Sequence, residues 1–260
     1  TRSRVVTGVQ TCALPICRVL VQRFSFDGVP QGEPMLANEQ AGFHQRPLVS
    51  ALALDRFVVT WTDGAAVAGG AMRMRLFDGQ GAPLGPELKP NLFGARAITL
   101  LGDSGRFAVA SIKRGAQSDI GVETNSVRAD VIEPDGSLAN VPIFVSSGRG
   151  LHCSSPALAA LPGARLVACW LQKSAQTFDT TTHVMAAVFS STDGARLGAE
   201  VQIDSATSGE PFHAAVDATS DIEGGEAVFV AWDHNVSDGG APRFDVRGRL
   251  MALRRGGFEG

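Results

Sequence analysis

The chain has 260 residues, of which 44% are hydrophobic and 19% are charged, and its formal net charge is −3. This composition excludes a disordered chain, and no run reaches the roughly 18 apolar residues that a membrane-spanning helix needs. A slightly acidic chain also lacks the basic surface that binds nucleic acid. Thirty glycines and 13 prolines separate short stretches of Val, Phe and Thr without helical periodicity, so the sequence predicts an all-β protein.

The first 17 residues differ in character from the rest of the chain. Residues 6–16 read VTGVQTCALPI, which resembles the translation of a short-read sequencing adapter along its whole length. A signal-peptide remnant is the alternative, but Gly8, Gln10 and Thr11 interrupt its apolar run. Artefactual segments are left out of fold reasoning. We therefore expect residues 1–17 to lie outside the fold.

From residue 18 onward, a unit of four short strands recurs. In the second copy, strands A, B, C and D begin at Pro47, Arg56, Ala71 and Pro86. Strand B of this copy, RFVVTW, is apolar on both pleat faces, which is typical of a sheet that is covered on both sides. The unit therefore predicts a four-stranded antiparallel blade.

Two sequence markers repeat with this unit. Strand B ends at Trp61, Trp170 and Trp232 in three copies and at Ser111 in the remaining one. A glycine is followed four residues later by another in the pairs Gly28 and Gly32, Gly81 and Gly85, Gly194 and Gly198, Gly256 and Gly260. The remaining copy has Gly136 and Asn140. Asn is the non-glycine residue that best tolerates a positive φ, so the second position predicts a left-handed turn residue.

Blades of this kind pack radially in a β-propeller. The copies predict a partial blade over residues 18–45, complete blades over 46–95, 96–154 and 155–213, and a partial blade over 214–260. A β-sandwich is the alternative, but it does not explain the recurring unit. Because the copies begin at strand C and end before a strand D, we expect a fragment with an exposed blade face, unless the two ends close a ring.

The pattern RPLVSALALDRFVVTW followed by MRMRLFDGQGAPLGPEL resembles a repeat of bacterial extracellular and cell-envelope proteins, written P-x-V-A-x-L-x-D-G-x-F-V-V-x-W and Q-R-F-D-x-x-G-x-P-L-G-x-E. Degenerate copies cover about residues 18–260, and the third departs most from the pattern. The resemblance implies a propeller-like fold and a secreted or cell-envelope location. It also implies a noncatalytic module that presents a loop face to a partner.

The candidate binding residues come from that loop face. In a propeller meander, the B-to-C and D-to-A connections share one face, and functional sites lie mostly on loops. All five histidines are predicted at this face or its margin, together with two aspartates of an acidic loop. The candidates are His44, His152, His183, His213, Asp233, His234 and Asp238. The alternative for each histidine is a side chain that only bonds loop backbone.

No catalytic motif, cofactor motif or metal-binding cluster is found in the sequence. The acidic loop with Asp233 and Asp238 lacks the residue order of a calcium loop. We therefore expect no cofactor, no metal and no nucleic-acid or membrane-spanning function. The predicted function is a noncatalytic extracellular module that binds a protein, a glycan or a surface. The alternative is part of a propeller hydrolase or lyase with catalytic residues in further blades.

Cys153 and Cys169 are the two cysteines beyond the first 17 residues, and they lack the CxxC spacing of a zinc or redox site. If the strands around ALPGAR form a hairpin, the two thiols lie several residues out of register. Two buried thiols are therefore favoured, and a disulfide is left open.

Overall fold

A computed structural model of the protein shows an all-β chain built from successive antiparallel sheets. It describes residues 4–6, 18–64, 70–117, 123–146, 151–174, 181–205, 210–220, 226–235, 244–254 and 257–258. Within these residues, the helical structure is limited to one short 3-10 helix, Gly102–Ser104. No helix in the described part of the chain is long and apolar enough to cross a membrane.

The described strands form five blades in chain order. Blade 1 contains β1 (Arg4–Val6), β2 (Leu20–Phe24) and β3 (Pro30–Leu36). Blade 2 contains β4 (His44–Leu52), β5 (Arg56–Asp63) and β6 (Ala71–Asp78). Blade 3 contains β7 (Ala95–Leu100), β8 (Phe107–Gln117), β9 (Glu123–Ile132) and β10 (Leu138–Phe144). Blade 4 contains β11 (Leu151–Leu161), β12 (Arg165–Ser174), β13 (His183–Ser190) and β14 (Arg196–Gln202). Blade 5 contains β15 (Glu210–Ser220), β16 (Glu226–Asn235), β17 (Phe244–Arg254) and β18 (Gly257–Phe258).

Each blade is an antiparallel meander, as predicted. The first strands of blades 2 to 5 begin at His44, Ala95, Leu151 and Glu210, a few residues before the predicted boundaries. One parallel pair, His152 with Asn125, joins blade 4 to blade 3. The predicted strand D of blade 2 is reduced to isolated bridges at Pro83, Leu88 and Phe93. Prolines in this segment lack the N–H that a regular ladder needs.

The N-terminal segment departs from the prediction that residues 1–17 lie outside the fold. Arg4–Val6 pairs antiparallel with β2, with Val5 opposite Arg23. It occupies the position that strand B holds beside strand C in the other blades. The physical reason is that an unpaired sheet edge offers N–H and C=O groups to any extended segment. Residues 7–17 lie outside the described residues.

Successive blades pack face to face, and strand B contributes to the core on both of its faces. In blade 4, Leu166, Ala168 and Trp170 pack against blade 3, whereas Val167, Cys169 and Leu171 pack towards blade 5. Blade 2 follows the same rule, with Trp61 towards blade 1 and Val58 towards blade 3. Four such cores in series confirm the propeller arrangement and exclude the two-sheet sandwich.

The three tryptophans occupy equivalent positions, as the repeat alignment predicts. Trp61 and Trp170 are completely buried, and Trp232 is 7% exposed. Each lies on strand B and faces the preceding blade. Ser111 holds the corresponding place in β8 and is also buried. The Trp170 indole N–H donates a hydrogen bond to Oε1 of Gln172 over 3.1 Å.

The repeated turn has the backbone that the sequence predicts. Asn140 has a φ of +54°, and Gly32 and Gly198, at the equivalent position, have φ values of +75° and +91°. An asparagine therefore adopts the left-handed conformation that the other copies reach with glycine. Gly85 is the exception, since its φ is not positive.

Both described cysteines are free thiols buried in different cores. Cys153 lies between blades 3 and 4, and Cys169 lies between blades 4 and 5. Burial raises the pKa of Cys153 to about 11 and that of Cys169 to about 12. The disulfide that the sequence left open is not formed.

The outer face of blade 5 is apolar and exposed. Phe229, Val246 and Leu250 are 48%, 83% and 68% exposed, on the side of the sheet opposite the core with blade 4. Phe212 and Phe244 continue this surface and contact each other edge to face at 5.8 Å. In blades 2 to 4, the corresponding face is covered by the next blade.

Replacing Trp170 by Ala should lower the free energy of unfolding by about 3 to 5 kcal/mol, because the indole fills an inter-blade core completely. Urea unfolding followed by circular dichroism measures this loss. Phe229→Ala, on the exposed face of blade 5, is the control and should change stability much less. A loss under about 1 kcal/mol for Trp170→Ala would contradict the packing described above.

The exposed face of blade 5 should make the isolated chain self-associate, since contiguous apolar surface of this kind promotes contact between molecules. Size-exclusion chromatography with light scattering should show oligomers that Leu250→Lys converts towards the monomer. Leu54→Lys is the control, because Leu54 is a single exposed leucine in the blade 2 hairpin. A stable monomeric wild-type chain would argue against the prediction.

Candidate functional site

Three of the predicted histidines take part in contacts within or between blades. The His44 side chain is 5% exposed, its Nε2 lies 2.9 Å from the Gln40 carbonyl oxygen, and its Nδ1 lies 3.5 Å from Asp63. Nδ1 of His183 lies 3.0 Å from Nε2 of Gln202. Nδ1 of His152 lies 3.4 Å from Nδ2 of Asn125, across the junction of blades 3 and 4. These contacts favour the structural alternative for His44, His152 and His183.

His234 is buried beside a separate cavity of about 630 Å³ whose lining also includes Trp232, Asp204, Arg247 and Arg249. Asp238 lies outside the described residues. His213 and Asp233 remain, and they contact each other in blade 5.

His213 is held by the carboxylate of Asp233. Nδ1 of His213 lies 2.8 Å from Oδ2 of Asp233, while Oδ1 accepts hydrogen bonds from the backbone N–H groups of Phe212 and His213. Burial raises the pKa of Asp233, but these three hydrogen bonds outweigh it and lower the pKa below the usual 3.8. The His213 side chain itself is 80% exposed. The carboxylate therefore fixes an imidazole that stays open to solvent.

His213 lies in one of four β-bulges at the same end of blades 2 to 5. The first strand of each blade from 2 to 5 carries one residue more than its partner strand at the same end of the blade. Arg46 and Pro47 face Trp61, and Ser155 and Pro156 face Trp170. Arg96 is the extra residue of β7, and Phe212 and His213 share the bulge of β15. A bulge bends its strand and re-aims a side chain, and bulges are frequent beside active sites.

The four bulges meet around one pocket, because the first strands of successive blades lie side by side. The pocket has a volume of about 550 Å³, which is within the usual range for small-ligand sites. Its polar lining consists of Arg46, Arg96, Ser154, Ser155 and His213, and Leu48, Ile112 and Pro156 contribute apolar surface. We call this site the axial pocket.

The axial pocket is cationic and locally strained. Its described lining contains two arginines and a histidine but no carboxylate. Arg46 and Ser155 occupy the same bulge position, each before a proline, and have φ values of +52° and +46°. Such backbone angles in residues other than glycine persist only where the surrounding structure enforces them, and they are concentrated at functional sites.

Of the residues predicted from the sequence, His213 lines the axial pocket, whereas the sequence did not single out Arg46, Arg96 or Ser155. Two copies have a proline, Pro47 or Pro156, at or near the start of predicted strand A, and the structure places both prolines inside the strand. Proline within a strand indicates an edge or a bulge. No proline indicates a bulge at Arg96, since its strand reads ARAITL.

Neither a family model nor a curated protein sequence matches the chain. Several solved structures share its fold. An endo-arabinase from Bacteroides thetaiotaomicron aligns at 15% identity with a TM-score of 0.50, covering 94% of this chain and 88% of that one. A protein of unknown function from Dyadobacter fermentans aligns at 14% identity with a TM-score of 0.60, covering 95% and 74%. An N-acetylgalactosamine deacetylase from F. plautii, in complex with blood group B trisaccharide, aligns at 10% identity with a TM-score of 0.51, covering 97% and 89%. At these identities the similarity shows the fold alone.

Asp233→Asn should destabilise the protein by about 1 kcal/mol at neutral pH, because the isosteric amide loses the charge that strengthens the three hydrogen bonds. Since the folded-state pKa of Asp233 is lowered, its contribution is present above the ordinary value of 3.8 and is lost as the pH falls through the folded-state value. Urea unfolding at several pH values should show the wild-type and variant stabilities converging in acid. Asp217→Asn, on the outer face of the same blade, is the control. A pH-independent difference between wild type and Asp233→Asn would contradict this account.

Proposed function

We propose that this protein is a noncatalytic extracellular binding module that holds a glycan in the axial pocket. The observation that carries the proposal is the alignment of four bulges, from four successive blades, around one polar cavity. A site assembled from four repeats is rigid, since each strand is fixed by its own blade. Rigid placement of a few polar groups on an apolar wall is what small-ligand recognition requires.

The chemistry of the lining suits a saccharide. Guanidinium N–H groups and the Ser154 hydroxyl can donate hydrogen bonds to sugar hydroxyl and ring oxygens. Ser155, whose hydroxyl already donates to the Phe212 carbonyl oxygen, can accept one from a sugar hydroxyl, as can Nε2 of a neutral His213 whose Nδ1 faces Asp233. The apolar surface of Leu48, Ile112 and Pro156 can contact the C–H face of a pyranose ring. The names of two proteins that share the fold, an arabinase and an N-acetylgalactosamine deacetylase, make saccharides the first ligands to test.

Binding is proposed in preference to hydrolysis because of the groups that the described lining offers. Glycoside hydrolysis ordinarily uses two carboxyl groups on either side of the scissile bond. The described polar lining instead carries guanidinium, imidazole and hydroxyl groups. The extracellular or cell-envelope location is proposed from the resemblance of the repeats. A protein ligand and a hydrolase or lyase activity are the competing functions that the experiment must separate.

The test is a glycan array that presents neutral and anionic oligosaccharides to the purified chain. We expect binding to a restricted set of glycans, at least about tenfold weaker for His213→Ala, because one lost hydrogen-bonding group in a site is typically worth about that factor. His183→Ala is the matched control, since His183 lies at the same face but outside the axial pocket. Thermal melts establish that both variants are folded.

Three outcomes would overturn the proposal. The first is a wild-type chain that binds no glycan. The second is equal loss of binding in His213→Ala and His183→Ala. The third is release of shorter saccharides from a bound glycan, which would identify a hydrolase or lyase.

A further inference from the structure

The two arginines of the axial pocket, Arg46 and Arg96, lack an acidic partner within the described chain. Six arginines elsewhere form ion pairs: Arg73 with Asp63, Arg75 with Glu39, Arg106 with Glu133, Arg128 with Asp130, Arg165 with Glu226 and Arg196 with Glu200. Among the described residues, no carboxylate lies within ion-pair distance of Arg46 or Arg96. The chain has a net charge of −3, so this uncompensated positive charge is local.

The Arg96 guanidinium has a donor that no described residue satisfies. Its Nε is shielded from solvent and has no hydrogen-bond acceptor among the described residues. A shielded donor without a partner is unfavourable, and buried polar groups of native proteins are nearly always satisfied by protein, water or ligand. Arg46 sits across the pocket on blade 2, in the left-handed backbone of its bulge.

We propose that the axial pocket selects an anionic saccharide, one carrying a carboxylate or a sulfate, and that Arg46 and Arg96 bind its anionic group. The planar guanidinium matches the two oxygens of a carboxylate or sulfate with two parallel hydrogen bonds, which a neutral hydroxyl cannot reproduce. His213 remains to contact the sugar hydroxyls, together with Ser155, whose hydroxyl donates to the Phe212 carbonyl oxygen over 3.0 Å and can still accept a hydrogen bond. This inference rests on the proposed function and specifies its ligand class.

The experiment uses isothermal titration of the full chain with three probes of one backbone: a neutral galactose trisaccharide, trigalacturonate and a sulfated galactose trisaccharide. We expect at least one anionic probe to bind about tenfold or more tightly than the neutral one, because charge-assisted hydrogen bonds are about twice as strong as neutral ones. The preferred anion identifies carboxylate or sulfate as the group recognised.

Arg46→Gln and Arg96→Gln should each reduce the affinity for the preferred anion by about tenfold more than they reduce the affinity for the neutral probe, because the amide keeps a hydrogen-bond donor but loses the charge. Arg56→Gln is the matched control, because Arg56 is exposed at the opposite end of strand β5 and lies outside the pocket. Equal loss of neutral and anionic binding would overturn the charge-recognition role of the two arginines.

The outcomes separate this inference from the proposed function. Equal affinity for all three probes, still dependent on His213, would overturn anion selection and leave glycan binding intact. Absence of binding to every probe, together with an empty glycan array, would overturn both.

Discussion

Strand B of blades 2 to 5 carries apolar residues on both faces, and this requirement for cover on both sides governs the architecture. A sheet with one apolar face can be satisfied by a single partner, as in a sandwich, but Trp170 and Cys169 point to opposite sides of the same strand. Both faces of such a strand are covered only where its blade lies between two others, as in blades 2 to 4. Repeating the interface with the natural twist of the sheets turns the blades around a common centre, and the first strands come together there.

The recurring parts of the fold were predictable because each has a local physical cause. Trp61, Trp170 and Trp232 mark a site that a large ring fills, and Asn140 marks a backbone angle that only glycine and a few polar residues adopt readily. The features that could not be predicted depend on contacts with other segments of the chain. The pairing of Arg4–Val6 with β2 requires a free edge that no local pattern reveals. The breakdown of strand D in blade 2 depends on how several prolines compete with ladder formation.

The candidate site was predicted only in part, because it too depends on which residues become neighbours in the folded chain. Strand order alone places the histidines at one face, so the face could be found from sequence. Whether a histidine at this face is free to bind a ligand or stabilises its own blade depends on the residues that it contacts. His44 meets Asp63 and the carbonyl of Gln40, whereas His213 meets Asp233 with most of its side chain still in solvent. Arg46 and Arg96 lie in different blades and about 50 residues apart in sequence, so only the folded chain brings them to one cavity.

Strands A and B differ in how far burial restricts their side chains. This difference explains why the pocket residues vary between blades while the cores stay alike. In blades 2 to 4, strand B is buried on both faces, and most of its core-facing residues are apolar. The start of strand A faces the centre, where no neighbouring blade covers it, and the bulge turns its extra residue away from the core. The bulges carry different side chains in different blades: Arg46 and Ser155 stand before a proline, whereas Arg96 and His213 are the last residues before regular pairing resumes. Successive repeats thus form an asymmetric pocket, in which cationic and hydroxyl groups occupy separate positions.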